Sequence, residues 1–344
     1  MGRGRKPPAR SEQLWVPDGP TGYEVWSVGG HLTEVLHIPA TQPGPVRNVL
    51  VFIPGNPGLV GHYHDYLETL HRLSGGNIEV FGCTYPGQSQ YLANHEQRVL
   101  SLDEQVQHKI AFYDAVSERV GANEPQVPIT SSARKRRSGM NNKTAKSIRQ
   151  QPRVFLAGHS LGVYVCLQIL KERPDARIEK VLGLFPTLHS MGSTPRGRQA
   201  SWLLMPGVRH VLCGVALALR SVLPASRFLD MVRKATGQSG RQLSATTQLI
   251  HLAPLSSWMY LAACEMSDIR EMQHDAFSRH ADKFILYYGV NDGWCPQSHY
   301  DEIRRLYPET ETHLCQLGVP HAFVARHSEA IAGQSARLLQ PHLQ

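Results

Sequence analysis

The sequence predicts an α/β fold, with one doubly wound, mostly parallel sheet and a helical cap inserted after its sixth strand. Three observations carry that expectation. Short apolar runs without alternation occur at NVLVFIP (48–54), IEVFGCT (78–84), RVFLAG (153–158), IEKVLGLF (178–185) and KFILYYG (283–289). Such runs are what strands buried on both faces look like. Helix-like stretches separate them, and a βαβα alternation is the pattern of a parallel sheet covered on both sides. The alternation stops over 187–280, where only helical pieces are found, and then resumes.

From the beginning of the chain, YEVWSV (23–28) and HLTEVLHI (31–38) flank Gly29-Gly30 and read as a hairpin. The run 48–54 ends in Gly55-Asn56-Pro57-Gly58, and helices are expected at about 61–73 and 101–120. RVFLAG leads directly into a helix from Leu161 to about Glu172. The cap contributes helical pieces at 202–223 and 249–266. A helix near 298–306, the strand ETHLCQL (311–317) and a closing helix after His321 complete the order. Residues 23–344 are therefore expected to form one domain, with 187–280 a cap or lid and not a second domain.

The net charge of +8 invites a nucleic-acid reading, but its distribution argues against one. Four basic residues and no acid lie in 1–10, and seven more, again without an acid, lie in 125–150. Removing those eleven charges leaves about −3 for the rest. The basicity is thus assigned to a disordered tail (1–22) and a disordered insert (122–151), the latter rich in Pro, Ser, Asn and Arg. The insert reads either as a solvated loop or as a weak electrostatic hold on an anionic membrane. ARKRR within it also fits an import or nucleic-acid patch, a match too common to carry weight. No nucleic-acid partner is expected.

The opening MGRGRKPPARSEQ lacks the apolar segment of a secretory signal, and Lys6 stands where a myristoylation motif needs Ser or Thr. No apolar run is long enough for an ordinary membrane span. Six cysteines without CxxC pairing read as buried small hydrophobes in a reducing compartment, so neither a disulfide framework nor a metal site is expected.

The chemistry centres on Gly158-His159-Ser160-Leu161-Gly162, a GxSxG sequence between a strand and a helix. In that setting the serine sits on a tight elbow with Oγ exposed, above a helix N-terminus that favours a developing oxyanion. That setting resembles the nucleophile elbow of the α/β-hydrolase fold. A serine hydroxyl needs a general base. Downstream, Asp292 follows KFILYYGVN and His321 follows the last strand, both at carboxyl ends of expected strands. Ser160, Asp292 and His321 are therefore the candidate catalytic residues, in the order nucleophile, acid, base. Asp282 and Asp301 are alternative acids. For the oxyanion, backbone N–H groups are expected from Leu161 and from the loop after the first parallel strand. Pro54 and Pro57 have no N–H, which leaves Gly55 and Asn56, with Asn56 the candidate.

FIPGNPG (52–58), GHYHDYL (61–67), GHSLGVY (158–164), GLFPTL (183–188), YYGVNDGWCP (287–296) and VPHAF (319–323) together resemble the lipid droplet-associated hydrolases. The resemblance spans about 48–325 and carries the family's triad onto Ser160, Asp292 and His321. It implies an α/β-hydrolase fold, residence on lipid droplets and the cytosolic face of the endoplasmic reticulum, and ester hydrolysis with an unsettled natural substrate. The sequence departs from the family pattern in its tail and in the 122–151 insert, so nothing functional is carried over to those segments. VLCGVALAL (211–219), bracketed by Arg209, His210 and Arg220 and bounded by Pro206 and Pro224, is too short to cross a bilayer. It suits either an interfacial helix or a lid over the site, and 202–223 is the expected contact with a droplet or membrane surface. The leading expectation is a lipid ester hydrolase working without metal or organic cofactor. The alternatives are a droplet-surface protein that organises lipid stores with little turnover, and thioester or peptide hydrolysis on the same fold.

Overall fold

The computed structural model describes residues 22–92, 98–121 and 151–343. The tail expected over 1–22 and the insert over 122–151 fall outside these residues, apart from Gly22 and Gln151 at their edges.

Among the described residues, eight strands form one sheet: β1 (Tyr23–Val28), β2 (His31–Ile38), β3 (Asn48–Ile53), β4 (Ile78–Cys83), β5 (Arg153–His159), β6 (Ile178–Leu184), β7 (Phe284–Gly289) and β8 (Glu311–Cys315). Their spatial order is β1-β2-β4-β3-β5-β6-β7-β8. The hairpin β1–β2 is antiparallel and attaches antiparallel to β4, while every pairing from β4 to β8 is parallel. The chain runs from β3 to β4 on one side, then crosses to β5 on the other. That reversal opens a crevice at the carboxyl ends of β3 and β5, the usual ligand position in an open α/β sheet.

The apolar run of β3 divides between two cores. Val49, Val51 and Ile53 face α2 (Leu102–Val120) and α3 (Leu161–Glu172), whereas Leu50 and Phe52 face α1 (His64–Leu73) and α11 (Ser328–Leu339). All six residues of β3 are buried, which is why the strand shows no polar alternation. Ser101 starts α2 with a capping box to Glu104, and Gly121 ends it in the left-handed conformation.

Between β6 and β7 lie α4 (Pro195–Leu203), α5 (Pro206–Val222), α6 (Ala225–Thr236), α7 (Gly240–Leu249), α8 (Leu252–Asp268) and α9 (His274–Ser278). The segment 202–223 is not one continuous helix. The chain bends by 75° between α4 and α5, where Pro206, lacking an N–H, takes the first turn of the new helix. No single helix among the described residues is long and apolar enough to cross a membrane. Cys213 is the buried residue of α5 and packs with Leu204, Leu255 and Met259. The opposite side of α5 exposes Val211, Val215 and Val222, at 65, 52 and 80% of their surface. Helix α10 (Gln297–Leu306) joins β7 to β8. Five of the six cysteines are buried, and all are free thiols.

Candidate active site

Ser160 is the single residue between β5 and α3, and the turn holds its backbone at φ 52° and ψ −120°. A non-glycine residue here costs on the order of 1–3 kcal/mol and persists because its surroundings over-determine it. Glycines make the turn possible: a Cβ on Gly158 would meet the backbone of Gly162 and Val163, and one on Gly162 would meet the carbonyl of Ile53. The spacing in GxSxG thus follows from how closely β5, α3 and β3 approach.

The structure brings Ser160, His321 and Asp292 together. Ser160 Oγ lies 2.9 Å from Nε2 of His321, and Nδ1 of that ring lies 2.7 Å from Asp292 Oδ2. With Nδ1–H donating to the carboxylate, Nε2 carries a lone pair that can accept a hydrogen bond from the Ser160 hydroxyl. The Asp292 side chain is fully buried. Its second oxygen accepts the N–H groups of Trp294, at 2.8 Å, and Cys295, at 3.1 Å, which fix its orientation. Asp282 and Asp301 lie exposed, away from this cluster. Ser160 Oγ also lies 3.3 Å from the hydroxyl of Thr187, a residue the sequence did not single out.

The loop after β3 passes over the elbow. The Gly55 N–H donates to the Tyr63 hydroxyl at 2.9 Å, and the Gly58 N–H donates to Gln88 Oε1 at 2.6 Å. Proline has no N–H at 54 or 57, so Asn56 is left as the source of a backbone donor in this stretch, beside Leu161 at the first position of α3. The Asn56 side chain ties the loop to the cap by donating to the carbonyl of Trp258 at 3.0 Å.

A second polar chain runs behind the elbow. His159 Nε2 lies 3.0 Å from the His321 carbonyl, which can only accept, so this nitrogen carries the proton. Its Nδ1 then accepts from the Tyr63 hydroxyl at 2.7 Å, and the same hydroxyl accepts from Gly55. Every donor and acceptor role in this chain is fixed. Burial, and then the nearby His321 ring, hold His159 well below the ordinary histidine range and therefore neutral. It connects the backbone of His321 to the loop carrying Asn56. Tyr63 lies within GHYHDYL and His159 is the variable position of GxSxG, but no local pattern links two residues 96 positions apart.

Ser160 and His321 open into a cavity of about 640 Å³. Its cap-side walls include Met191, Leu204, Leu249, Leu255, Trp258 and Met259, which makes a mostly apolar chamber of a size that holds a small organic molecule or an acyl chain. Asp292, Cys295 and His321 bring possible metal-ligand atoms within 4.8 Å of one another. Burial raises the Cys295 thiol well above its ordinary range, and the His321 and Asp292 atoms are already bonded to each other, so the set suits proton handling better than a cation.

The chain matches the sequence profile of the lipid-droplet associated hydrolases over residues 46–131 and 135–324. It is 26% identical over 311 residues to the lipid droplet-associated hydrolase of Gallus gallus, covering 86% of each chain. It is 26% identical over 332 residues to that of Homo sapiens, covering 91% of this chain and 90% of the human protein. A similar relative in Dictyostelium discoideum is 23% identical over 307 residues, covering 87% and 89%. Among solved structures, the protein DBJA aligns with a TM-score of 0.60 at 15% identity, over 93% of this chain and 97% of that one. A serine hydrolase from the bacterium Cycloclasticus zankles aligns with a TM-score of 0.58 at 10% identity, over 93% and 98%. These two likenesses concern the fold. With the profile covering most of the chain, the protein belongs to the lipid-droplet associated hydrolase family and is a hydrolase of the α/β-hydrolase fold.

Proposed function

We propose that the protein is a serine ester hydrolase that takes lipid esters at the surface of lipid droplets, with Ser160, His321 and Asp292 as nucleophile, base and acid. The observation that carries this reading is the continuous hydrogen-bond chain from Ser160 Oγ through His321 to Asp292, on the floor of an apolar cavity. In the first half-reaction His321 Nε2 takes the Ser160 proton as Oγ bonds to the ester carbonyl carbon. The N–H groups of Asn56 and Leu161 receive the oxyanion, and the alcohol leaves with the proton from His321. Water then enters, gives its proton to His321 and releases the acid, restoring Ser160. No step requires a metal or organic cofactor.

Three features support a lipid surface as the place of action. The exposed valines of α5, with Trp202 at 63% and Met205 at 53% exposure beside them, form an apolar face on the cap. Leu203, Leu204 and Leu212, from the α4–α5 bend, line the cavity beneath it. Residues 195–249 also carry eight Lys and Arg against one acid, Asp230, which suits an anionic lipid monolayer. The charge reading from sequence, which put the basicity in the tail and the insert alone, is incomplete on this point. Droplets and the cytosolic face of the endoplasmic reticulum are the locations we assign.

The test is hydrolysis of a soluble short-chain ester and of an emulsified long-chain ester by wild type, Ser160→Ala and His321→Gln. Both variants are expected to lose at least about a thousandfold in kcat on both substrates while remaining folded. Wild-type rates in folded Ser160→Ala would exclude the mechanism. If Ser160→Ala kept the droplet phenotype and α5 changes abolished it, a surface-organising role would replace hydrolysis as the main one.

A further inference from the structure

Glu265 lies on α8 and is 3% exposed, yet it lines the cavity into which Ser160 opens. The mechanism above does not use it. It is the one carboxyl among the described cavity-lining residues, set among Met259, Ala262 and Met266 of its own helix. An isolated carboxylate in such surroundings is strongly disfavoured. Burial pushes this carboxyl up to about 8, against the opposing effect of the Asn56 side-chain amide, so near neutral pH it is mainly the protonated acid. A protonated carboxyl offers one O–H donor and one carbonyl acceptor at adjacent atoms. The Asn56 amide takes up part of the acceptor capacity. An O–H held at the wall of such a chamber without a partner would cost on the order of 1–3 kcal/mol.

We infer that Glu265 is a specificity-determining residue that pairs with a free hydroxyl of the substrate, so that the cavity selects esters carrying a hydroxyl near the scissile bond. A hydroxyl is both donor and acceptor, and it matches the protonated carboxyl with two complementary hydrogen bonds. Among lipid esters, partial glycerides carry such hydroxyls; triacylglycerols and sterol esters do not. A polar pocket group left unpaired by the wrong ligand is the strongest means of discrimination a site has. Asn56 fixes the geometry, because its side chain reaches both the α8 backbone at Trp258 and the Glu265 carboxyl, while its own N–H belongs to the oxyanion loop. The hydroxyl is thereby held at a set offset from the reacting carbonyl.

This inference rests on the hydrolase reading, so its test is made by binding and not by turnover. In the Ser160→Ala background, calorimetry compares the hexyl monoether of glycerol with the same molecule bearing both hydroxyls methylated. The hydroxyl ligand is expected to bind at least about tenfold more tightly, the gain of one or two net hydrogen bonds. Adding Glu265→Leu is expected to bring the two ligands within about twofold of each other. Adding Glu265→Gln, which keeps a donor and an acceptor, is expected to retain most of the preference. A merely structural role for Glu265 would weaken both ligands alike in the Leu variant. Equal binding of the two ethers in the Ser160→Ala parent, or no binding of the glycerol ether, overturns the inference without any Glu265 variant. Tighter binding of hexyltrimethylammonium than of the glycerol ether also overturns it, because that result would mean an ionised carboxylate selecting a cation. Fluorophosphonate labelling of the wild type reports separately on Ser160, so loss of the hydrolase reading and loss of the hydroxyl preference are distinguishable.

Discussion

Removing the hydroxyl of Tyr63 isolates the polar chain behind the elbow. Tyr63→Phe preserves shape, and the residue is 2% exposed, so little packing is lost and no large cavity is made. What disappears is one oxygen that accepts from Gly55 and donates to His159 Nδ1. Each buried group left without a partner costs about 1–3 kcal/mol, and two such groups with some local relaxation give about 3 kcal/mol. That is a large share of the 5–15 kcal/mol by which domains are commonly stable. Urea unfolding followed by tryptophan fluorescence should show a lower midpoint at constant slope. The second readout is the rate of fluorophosphonate labelling at Ser160. Gly55 precedes Asn56, so slackening its anchor moves the oxyanion donor proposed there, and a roughly tenfold or greater slowing is expected. The Ser160–His321–Asp292 contacts do not involve Tyr63, so the pH profile of labelling should keep its shape. A Tyr63→Phe protein within about 0.5 kcal/mol of wild type and labelled at the wild-type rate refutes the reasoning.

Gly162→Ala drives a methyl into the Ile53 carbonyl, a backbone atom that cannot turn aside, and should destabilise by several kcal/mol or prevent folding; a normal melting temperature contradicts this. Glu265 titrates at about 8 in the folded chain, against 4.5 for an ordinary glutamate. Between those values the folded state holds a proton that the unfolded chain has released, so the contribution of this group to stability falls as pH rises through the window. Glu265→Gln removes that slope. Its melting temperature relative to wild type should therefore climb from pH 5 to pH 8 and then level off, whereas a constant difference excludes a buried neutral acid. Changing Val211, Val215 and Val222 of α5 together to serine should weaken partitioning onto phospholipid-coated droplets by about 3 kcal/mol, roughly a hundredfold. Stability should change little, because all three side chains are exposed. Undiminished flotation with droplets removes α5 from the contact surface.

The parallel strands were legible because burial on both faces leaves an apolar run that needs no alternation, as in NVLVFI of β3. Their ends were less so. ETHLCQL suggests a strand to 317, but β8 stops at Cys315, opposite Gly289, where its neighbour β7 ends and no partner remains. Composition reads 202–223 as one helical piece, whereas Pro206 restarts the helix in a new direction. In the site, Ser160 announces itself through the glycines that the turn requires. His321 and Asp292 could be found from their places after strands, because the carboxyl ends of parallel strands share one edge. Tyr63, Thr187 and Glu265 could not be found in this way, since each matters through contacts made across the fold. The acid within LAPLSSWMYLAACEM was the one local hint, a carboxyl in a mostly apolar stretch. The basic character of 195–249 was hidden by averaging it with the acidic remainder of the folded chain.

The measurement that bears most directly on the hydrolase mechanism is fluorophosphonate labelling of purified wild type beside Ser160→Ala, with detergent or droplets present to open the cap and circular dichroism to verify folding. Labelling of the wild type alone, slowed strongly in His321→Gln, is the expected result and marks Ser160 as an activated nucleophile. A folded wild type that takes no label, or a Ser160→Ala protein that labels equally, contradicts it.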